Sequence, residues 1–197
     1  MPRITAPTLA EHQARQRDAL VEAAVAILAT EGVAAATPAA VGARAGLARS
    51  SVYQYFDSSA AMLATAVELV LPRAGAAAAE AVQGAATPEA GVEAYTRQVL
   101  GQATSLAARA VRALEQAELP VRCRARLEEL RAEQVQPLAD VLDRLGVDQP
   151  ASTAELVAAL VGAGARQVAR GDDAGEVTGR VLAILRRGVV PRNAGAP

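Results

Sequence analysis

Two short helices joined by a tight turn are encoded in residues 32–56, and this pattern constrains the fold more than any other part of the chain. Thr37 can cap the first of these helices through its hydroxyl, and Pro38 suits the next position because no backbone donor is needed there. Gly46 can turn the chain at positive φ, and a second helix is predicted to begin near Arg49. This order of signals predicts a helix-turn-helix, an arrangement in which the second helix can enter the major groove of DNA.

The sequence on both sides of this motif follows an ordered signature. A long amphipathic helix ending in glycine occupies residues 19–32, and a capped helix follows at residues 37–45. The motif Ala-Gly-Leu-Ala spans residues 45–48, and Tyr-Gln-Tyr-Phe ends the second helix at residues 53–56. This part of the chain resembles the tetracycline-repressor (TetR/AcrR) family of bacterial transcription regulators, whereas the rest is similar to that family only in length and helical character.

The composition favours one fold class for the whole chain. Apolar residues make up 52%, but only one Phe, three Tyr and no Trp supply aromatic rings. A core built from Ala, Leu and Val favours closely packed helices over a β-sandwich. Helical spacing and helix breakers predict about nine helices and no strand. The expected fold is therefore all-α, with an amino-terminal three-helix domain that contains the helix-turn-helix and a larger helical bundle.

The domain organisation follows from the resemblance and from the positions of the helix signals. We expect a DNA-binding domain over residues 1–57, an effector-binding and dimerisation domain over residues 58–190, and a disordered tail over residues 191–197. Prolines in the first ten residues predict a flexible arm. The sequence at residues 57–59 predicts the capped start of a fourth helix, which Pro72 is expected to end or kink.

The charge of the chain does not indicate a general nucleic-acid binder. The net charge is −1, and the first sixty residues carry five arginines against five acidic residues. A protein that coats DNA should be more basic, but a regulator can place a few arginines where the phosphates run. No secretory signal is predicted, and no stretch approaches the ~18 uncharged apolar residues that a membrane span needs. The expected location is the cytoplasm, with no membrane partner.

The resemblance implies DNA contacts on and around the second helix of the motif. Gln54 can form two hydrogen bonds with adenine, and Arg49 can do the same with guanine. We expect Tyr53 to pack partly inward and Tyr55 to be exposed, with both hydroxyls donated to phosphates as in the family. The expected DNA-contacting residues are Thr37, Arg44, Ala48, Arg49, Ser50, Ser51, Tyr53, Gln54, Tyr55 and Ser59.

Two positions depart from the family's pattern. Ser59 stands at the start of the fourth helix, where family members often carry Lys, so one phosphate contact is expected to be weaker. Ala48 stands where a serine cap is common, so the second helix of the motif needs a different cap. Neither departure removes the side chains expected to contact bases.

The carboxy-terminal helices, predicted at residues 153–170 and 173–187, carry apolar stripes with two possible uses. In the family, such a helix pair meets its two-fold copy, and the resulting homodimer binds a palindromic site on double-stranded DNA. The stripes can instead fill the protomer's own core. The expected dimer interface consists of Leu156, Leu160, Ala163, Gln167, Val177, Val181 and Ile184.

An effector cavity is also implied by the resemblance. Its walls would be mainly Leu and Val, with Tyr95 as the one aromatic residue, so an apolar small molecule fits better than a cation that needs an aromatic cage. The same residues can instead fill a core. The expected pocket residues are Leu63, Val67, Tyr95, Val99, Leu106, Leu114 and Leu127.

Two further features each have a functional and an ordinary interpretation. Cys123 lies between two arginines, which can lower the pKa of a thiol and suit a redox sensor, but most isolated cysteines are inert. A cluster of arginines could attract an anionic effector or form a solvated helix face with i,i+3 and i,i+4 ion pairs. The cluster consists of Arg109, Arg112, Arg122, Arg124, Arg126 and Arg131.

The sequence as a whole predicts a dimeric transcription regulator, a repressor released from a palindromic operator by a ligand. An alternative is the same fold acting as a protein-partner or ligand-binding module with weak or lost DNA recognition. An enzyme is not predicted because the chain offers no nucleophile–base pair, no metal-ligand cluster and no phosphate loop. No cofactor and no metal are expected.

Overall fold

The computed structural model describes residues 9–188, and within them the chain forms nine α-helices, one short 3₁₀ helix and no strand. The predicted all-α fold is confirmed. The predicted carboxy-terminal tail lies outside the described residues, as does most of the predicted amino-terminal arm. The helices are α1 (Leu9–Glu31), α2 (Pro38–Arg44), α3 (Arg49–Val52), α4 (Ser59–Gln83), α5 (Pro88–Gly101), α6 (Leu106–Gln116), α7 (Val121–Arg144), α8 (Pro150–Ala169) and α9 (Ala174–Gly188), and the 3₁₀ helix is Val33–Ala35.

Several helices begin at a polar side chain that accepts a hydrogen bond from the backbone N–H three residues later. The pairs are Thr37 with Ala40 (3.2 Å), Ser58 with Ala61 (3.0 Å), Thr87 with Ala90 (3.2 Å), Ser105 with Ala108 (3.2 Å) and Asp173 with Glu176 (2.8 Å). The helix α8 begins at Pro150 rather than at the predicted Thr153. Proline suits this position because the first N–H of a helix needs no partner.

The sequence predicts that Pro72 ends or kinks α4, and the first of these alternatives is wrong, because α4 continues to Gln83. Its continuation is supported by packing, since Leu71 before the proline and Val82 after it are both buried. The Gln134 side chain also donates a hydrogen bond to the Leu71 carbonyl. Gly75 leaves the space for this side chain, since a Cβ there would lie 2.8 Å from Gln134. Tertiary contacts therefore override the proline.

The chain divides into two compact units, and each contains two separate stretches of sequence. The first unit comprises the described part of Met1–Val70 together with Arg109–Arg126. The second unit comprises Leu71–Ala108 together with the described part of Leu127–Pro197. The predicted functional boundary after residue 57 is a separate matter and stays a prediction.

Each unit has an apolar core of its own. In the first unit α1 packs on α2 and α2 packs on α3. Its largest fully buried side chains are Leu20, Leu28, Val41, Val52, Met62, Val67 and Leu114. In the second unit α5, α8 and α9 pack against one another. Gly164 allows this close packing, because a Cβ there would lie 3.0 Å from Leu100 and 3.2 Å from Val177 and Val181.

Among the described helices, only α4 is long and apolar enough to cross a membrane, with a mean hydropathy of 1.3 over its best window. The sequence-based expectation did not anticipate this, because it required an uncharged segment and α4 contains Glu68. Length and composition alone do not distinguish such a helix from the core helix of a soluble protein. Met62, Ala66 and Val67 of α4 are fully buried, and a third of its apolar window is buried within the protein.

Candidate nucleic-acid interface

The turn between α2 and α3 has the geometry that the sequence predicts. Gly46 adopts a φ of 73°, and the N–H of Leu47 returns to the carbonyl of Gly42 at 2.8 Å. At Gly42 the two helices approach closely, because a Cβ would lie 2.9 Å from the Leu47 carbonyl oxygen and 3.0 Å from Val52. Residues with side chains at this position would push the helices apart. The helix-turn-helix is thus a fixed, closely packed unit.

The recognition segment, residues 49–56, consists of the short helix α3 and a turn that follows it. The N–H groups of Tyr55 and Phe56 both donate to the carbonyl of Val52, at 3.1 and 3.0 Å, so the chain keeps a helical curl beyond the end of α3. Val52 and Phe56 are buried, whereas Arg49 and Gln54 are exposed. The segment therefore presents one polar side to solvent and anchors the other in the core.

The exposures of the two tyrosines in this segment are the reverse of those that the sequence predicts. Tyr53 is exposed (44% of its surface), whereas Tyr55 is half-buried and donates its hydroxyl to the Gln16 side chain on α1. The reason is that α3 ends at Val52, and the following turn directs Tyr55 back toward α1. The next residue of α1 makes a second contact, because the Arg17 guanidinium lies 5.7 Å from the centroid of the Phe56 ring. Sequence reasoning missed the Gln16 contact, since no local pattern links residues so far apart.

The ten residues predicted to contact DNA all fall in the first unit. The exposed ones are Thr37, Arg44, Ala48, Arg49, Ser50, Tyr53, Gln54 and Ser59, and the half-buried ones are Ser51 and Tyr55. Arg44 lies 3.8 Å from Glu31, an exposed ion pair that leaves the guanidinium accessible. Ala48 caps α3 with its backbone alone, through the N–H of Ser51 at 2.9 Å, as expected for a position without a serine hydroxyl.

The residues predicted for the effector pocket are divided between the two units. In the first unit, Leu63, Val67 and Leu114 are buried. In the second unit Leu127 is buried, Tyr95 and Val99 are half-buried against the core, and Leu106 is 48% exposed. Burial raises the pKa of the Tyr95 hydroxyl, because its ionised form would be poorly solvated.

The predicted dimer-interface residues separate into two groups. Val177 and Val181 are buried in the core of the second unit, so this part of the stripe fills the protomer itself. Leu156 and Ile184 are instead 70% and 55% exposed. Leu160, Ala163 and Gln167 are half-buried.

Cys123 is packed rather than accessible. Its side chain is 1% exposed, and its thiol lies 3.3 Å from the carbonyl oxygen of Ala60 in the first turn of α4. Burial raises the pKa of the Cys123 thiol, which opposes the lowering that the flanking arginines were expected to cause. These surroundings favour the inert, packed role over the redox sensor.

Comparison with known proteins agrees with the geometry of the first unit. The model of the bacterial regulatory proteins of the tetR family matches residues 20–66, which span the second half of α1, α2, α3 and the start of α4. No curated protein matches the chain.

Solved structures of similar fold extend over almost the whole chain. A TetR-family transcriptional regulator from Rhodococcus sp. is 20% identical, with a TM-score of 0.71 over 90% of this chain and 100% of that one. A transcriptional regulator from Saccharomonospora viridis in complex with choline is 17% identical, with a TM-score of 0.76 over 91% and 100%. The regulator FadR from Bacillus subtilis in complex with stearoyl-CoA is 16% identical, with a TM-score of 0.73 over 87% and 98%. The resemblance to the tetR family is thereby confirmed: residues 20–66 carry the family's amino-terminal sequence, and the chain has the fold of TetR-family transcriptional regulators.

Proposed function

We propose that this protein is a sequence-specific DNA-binding transcription regulator that acts in the cytoplasm. The observation that carries the proposal is the exposed polar side of the recognition segment, with Val52 and Phe56 buried beneath it. A helix-turn-helix that only stabilised the protein would not need arginine, serine, glutamine and tyrosine side chains gathered on one solvent-facing surface. Such a surface suits the edges of base pairs in a major groove.

The exposed side chains have distinct proposed roles. Arg49 and Gln54 read bases, because each can form paired hydrogen bonds with one base, guanine and adenine respectively. Thr37, Tyr53 and Ser59 contact phosphates and set the register of the protein on the duplex. For Tyr55 we propose a role other than the phosphate contact expected from the sequence, because its hydroxyl donates a hydrogen bond to Gln16. Its role is to hold the recognition segment against α1.

We further propose that the protein works as a homodimer on a palindromic operator. Leu156 and Ile184 support this proposal, because they lie on the two helices predicted to form the interface and expose 70% and 55% of their surfaces, which a second protomer would bury. A two-fold dimer would place two helix-turn-helix motifs on one duplex. Light scattering at micromolar concentration should give the dimer mass, and a monomer mass would contradict this part of the proposal. Substituting Leu156 and Ile184 by Glu should produce monomers.

The proposed effector is an apolar small molecule. The chain has four aromatic residues, and three of them lie in the recognition segment, which leaves Tyr95 alone in the second unit. A quaternary ammonium such as the choline bound by the Saccharomonospora viridis regulator is best held by several aromatic rings. A long acyl chain, as in the stearoyl-CoA bound by FadR, needs only Leu, Val and Ala walls. Acyl compounds are therefore the first effectors to test.

The proposed mechanism of regulation is a population shift that makes the protein a ligand-released repressor. The effector would favour a spacing of the two helix-turn-helix motifs that no longer fits the half-sites. A ligand can shift this equilibrium only by its difference in affinity for the two states. An effector with equal affinity for free and DNA-bound protein would therefore contradict the mechanism.

The experiment that tests the DNA-binding function is selection of random duplexes by the purified protein, with the bound pool sequenced at two salt concentrations. An enriched inverted repeat is expected. Weak, salt-sensitive and sequence-independent binding would contradict the proposal. That result would favour the alternative, a protein-partner module of the same fold. The excess of acidic residues over arginines in residues 9–70, six against four, supports this alternative.

A further inference from the structure

Most arginines of the first unit lie in a segment that is far along the sequence from the helix-turn-helix. Residues 9–70, which contain the helix-turn-helix, carry four arginines against six acidic residues. Residues 109–126 belong to the same compact unit and carry five arginines against two acidic residues. The electrostatic character of the unit is therefore set largely by the end of α6 and the beginning of α7, which lie outside the family's amino-terminal signature.

Two contacts fix how the beginning of α7 lies on α4. The Cys123 thiol is 3.3 Å from the carbonyl oxygen of Ala60, in the first turn of α4. One turn further along α7, Arg126 lies 3.5 Å from Glu68, two turns further along α4. The later residue of α7 contacts the later residue of α4, so this part of α7 runs parallel to α4. The start of α7 is therefore beside the start of α4.

This placement brings the start of α7 close to the recognition segment. Phe56 ends that segment and Ser59 begins α4, so three peptide units, about 11 Å at full extension, separate them. Ser59 is the position where family members often carry Lys, so the phosphate contact there is expected to be weaker. Any cation near the first turn of α4 can take over the role of that lysine.

Arg122 and Arg124 are the cations at this position. They flank Cys123, which is buried against Ala60, and both are exposed. Arg126 forms an ion pair with Glu68. Within residues 9–188, neither Arg122 nor Arg124 forms an ion pair. The ordinary interpretation of the cluster, a solvated face neutralised by ion pairs, therefore does not account for these two arginines.

We infer that Arg122 and Arg124 form an auxiliary phosphate-binding site, which contacts the DNA backbone beside the groove occupied by the recognition segment. The inference rests on the proposed DNA-binding function, and it commits to a duplex as the partner because guanidinium groups pair with phosphates independently of base sequence. The site supplies the positive charge that Ser59 does not provide. It contributes to affinity and salt dependence but not to the choice of sequence.

The test is a salt titration of DNA binding by the full-length protein, measured by fluorescence anisotropy between about 50 and 200 mM KCl. The probes are a duplex carrying the repeat selected by the wild-type protein and a scrambled duplex of the same length. In the variant Arg122→Ala/Arg124→Ala, the slope of log affinity against log salt should become less steep by about 2–4, since each lost phosphate contact is worth about 0.9 and the proposed homodimer would lose two contacts per protomer. Affinity for both probes should fall by a similar factor, about 10-fold or more at the lower salt concentration.

Two control variants make the result specific. Arg122→Lys/Arg124→Lys keeps the charge and should retain most of the wild-type slope. Arg187→Ala removes one exposed arginine from α9, in the other compact unit, and should leave the slope unchanged. Thermal unfolding should give the same midpoint for all variants, because the substituted side chains are exposed.

Failure of the inference and failure of the proposed function give different results. If the wild-type protein binds the selected duplex and the double alanine variant shows the same salt slope, the auxiliary site is overturned and DNA recognition stays intact. Loss of affinity for the selected duplex alone would also overturn it, because that pattern indicates base recognition. A wild-type protein that binds neither probe would overturn the proposed function, and the auxiliary site with it.

Discussion

The hydrogen bond between Tyr55 and Gln16 gives the sharpest prediction about how the recognition segment is held. Tyr55 is half-buried, and its hydroxyl donates to the Gln16 side-chain oxygen on α1. The substitution Tyr55→Phe removes the hydroxyl and leaves the ring in place. A hydrogen bond between neutral groups contributes about 0.5–1.5 kcal/mol net, so we expect the free energy of unfolding to fall by that amount.

This loss should be visible in thermal unfolding and should depend on Gln16. For a chain of this length, about 1 kcal/mol corresponds to a shift of about 2–4 °C in the unfolding midpoint. In a double-mutant cycle with Tyr55→Phe and Gln16→Ala, the two residues should show a coupling energy of about 0.5–1.5 kcal/mol. All variants should be compared at one protein concentration, because dimerisation would make the midpoint concentration-dependent.

The matched control is Tyr53→Phe, which removes a hydroxyl from the exposed tyrosine two residues earlier. This variant should unfold at the wild-type temperature but bind DNA more weakly, whereas Tyr55→Phe should keep the wild-type salt dependence of DNA binding. Additive effects of Tyr55→Phe and Gln16→Ala on stability would refute the reasoning. A reduced salt slope in Tyr55→Phe would refute it as well, because the hydroxyl would then be contacting a phosphate.

Three further predictions concern stability. Gly164→Ala should be less stable than Gly162→Ala by about 1–3 kcal/mol in urea unfolding. Both variants gain helix propensity, but only Gly164→Ala places a Cβ 3.0–3.2 Å from three core side chains. Equal stability of the two variants would contradict the packing argument. Thr87→Ala should cost about 1 kcal/mol by removing the cap of α5, with no effect on DNA affinity, and an unchanged midpoint would show that the cap is dispensable. Cys123→Ala should be less stable than wild type at pH 7, and the difference should shrink as the pH rises past about 8.5. Burial raises the pKa of the folded thiol, so its contribution is complete below the ordinary thiol pKa and is lost at higher pH; a difference that grows with pH would contradict this sign.

Much of the fold follows from local sequence signals. The caps at Thr37 and Ser58 and the turn at Gly46 each depend on a few adjacent residues, so the sequence predicts them directly. Pro72 misleads because its local tendency to end a helix is overridden by contacts with a distant part of the chain.

The candidate site shows the same division between local and long-range information. The exposures of Arg49, Ser50 and Gln54 agree with helical spacing. The exposures of Tyr53 and Tyr55 do not, because α3 ends early and the hydroxyl of Tyr55 finds its partner 39 residues away. The placement of residues 109–126 in the first unit is also a long-range property, and no periodicity in the sequence indicates it.

The central claim is that the recognition segment reads DNA sequence, and selection of random duplexes with wild type and Gln54→Ala side by side tests it most directly. The wild-type protein should enrich an inverted repeat. Gln54→Ala should enrich the same repeat with relaxed preference at one or two positions in each half-site, because a side chain that forms paired hydrogen bonds with a base contributes about 1–3 kcal/mol of discrimination there. Identical enriched sequences from both proteins would contradict a base-reading role for Gln54, and no enrichment by the wild-type protein would contradict the claim as a whole.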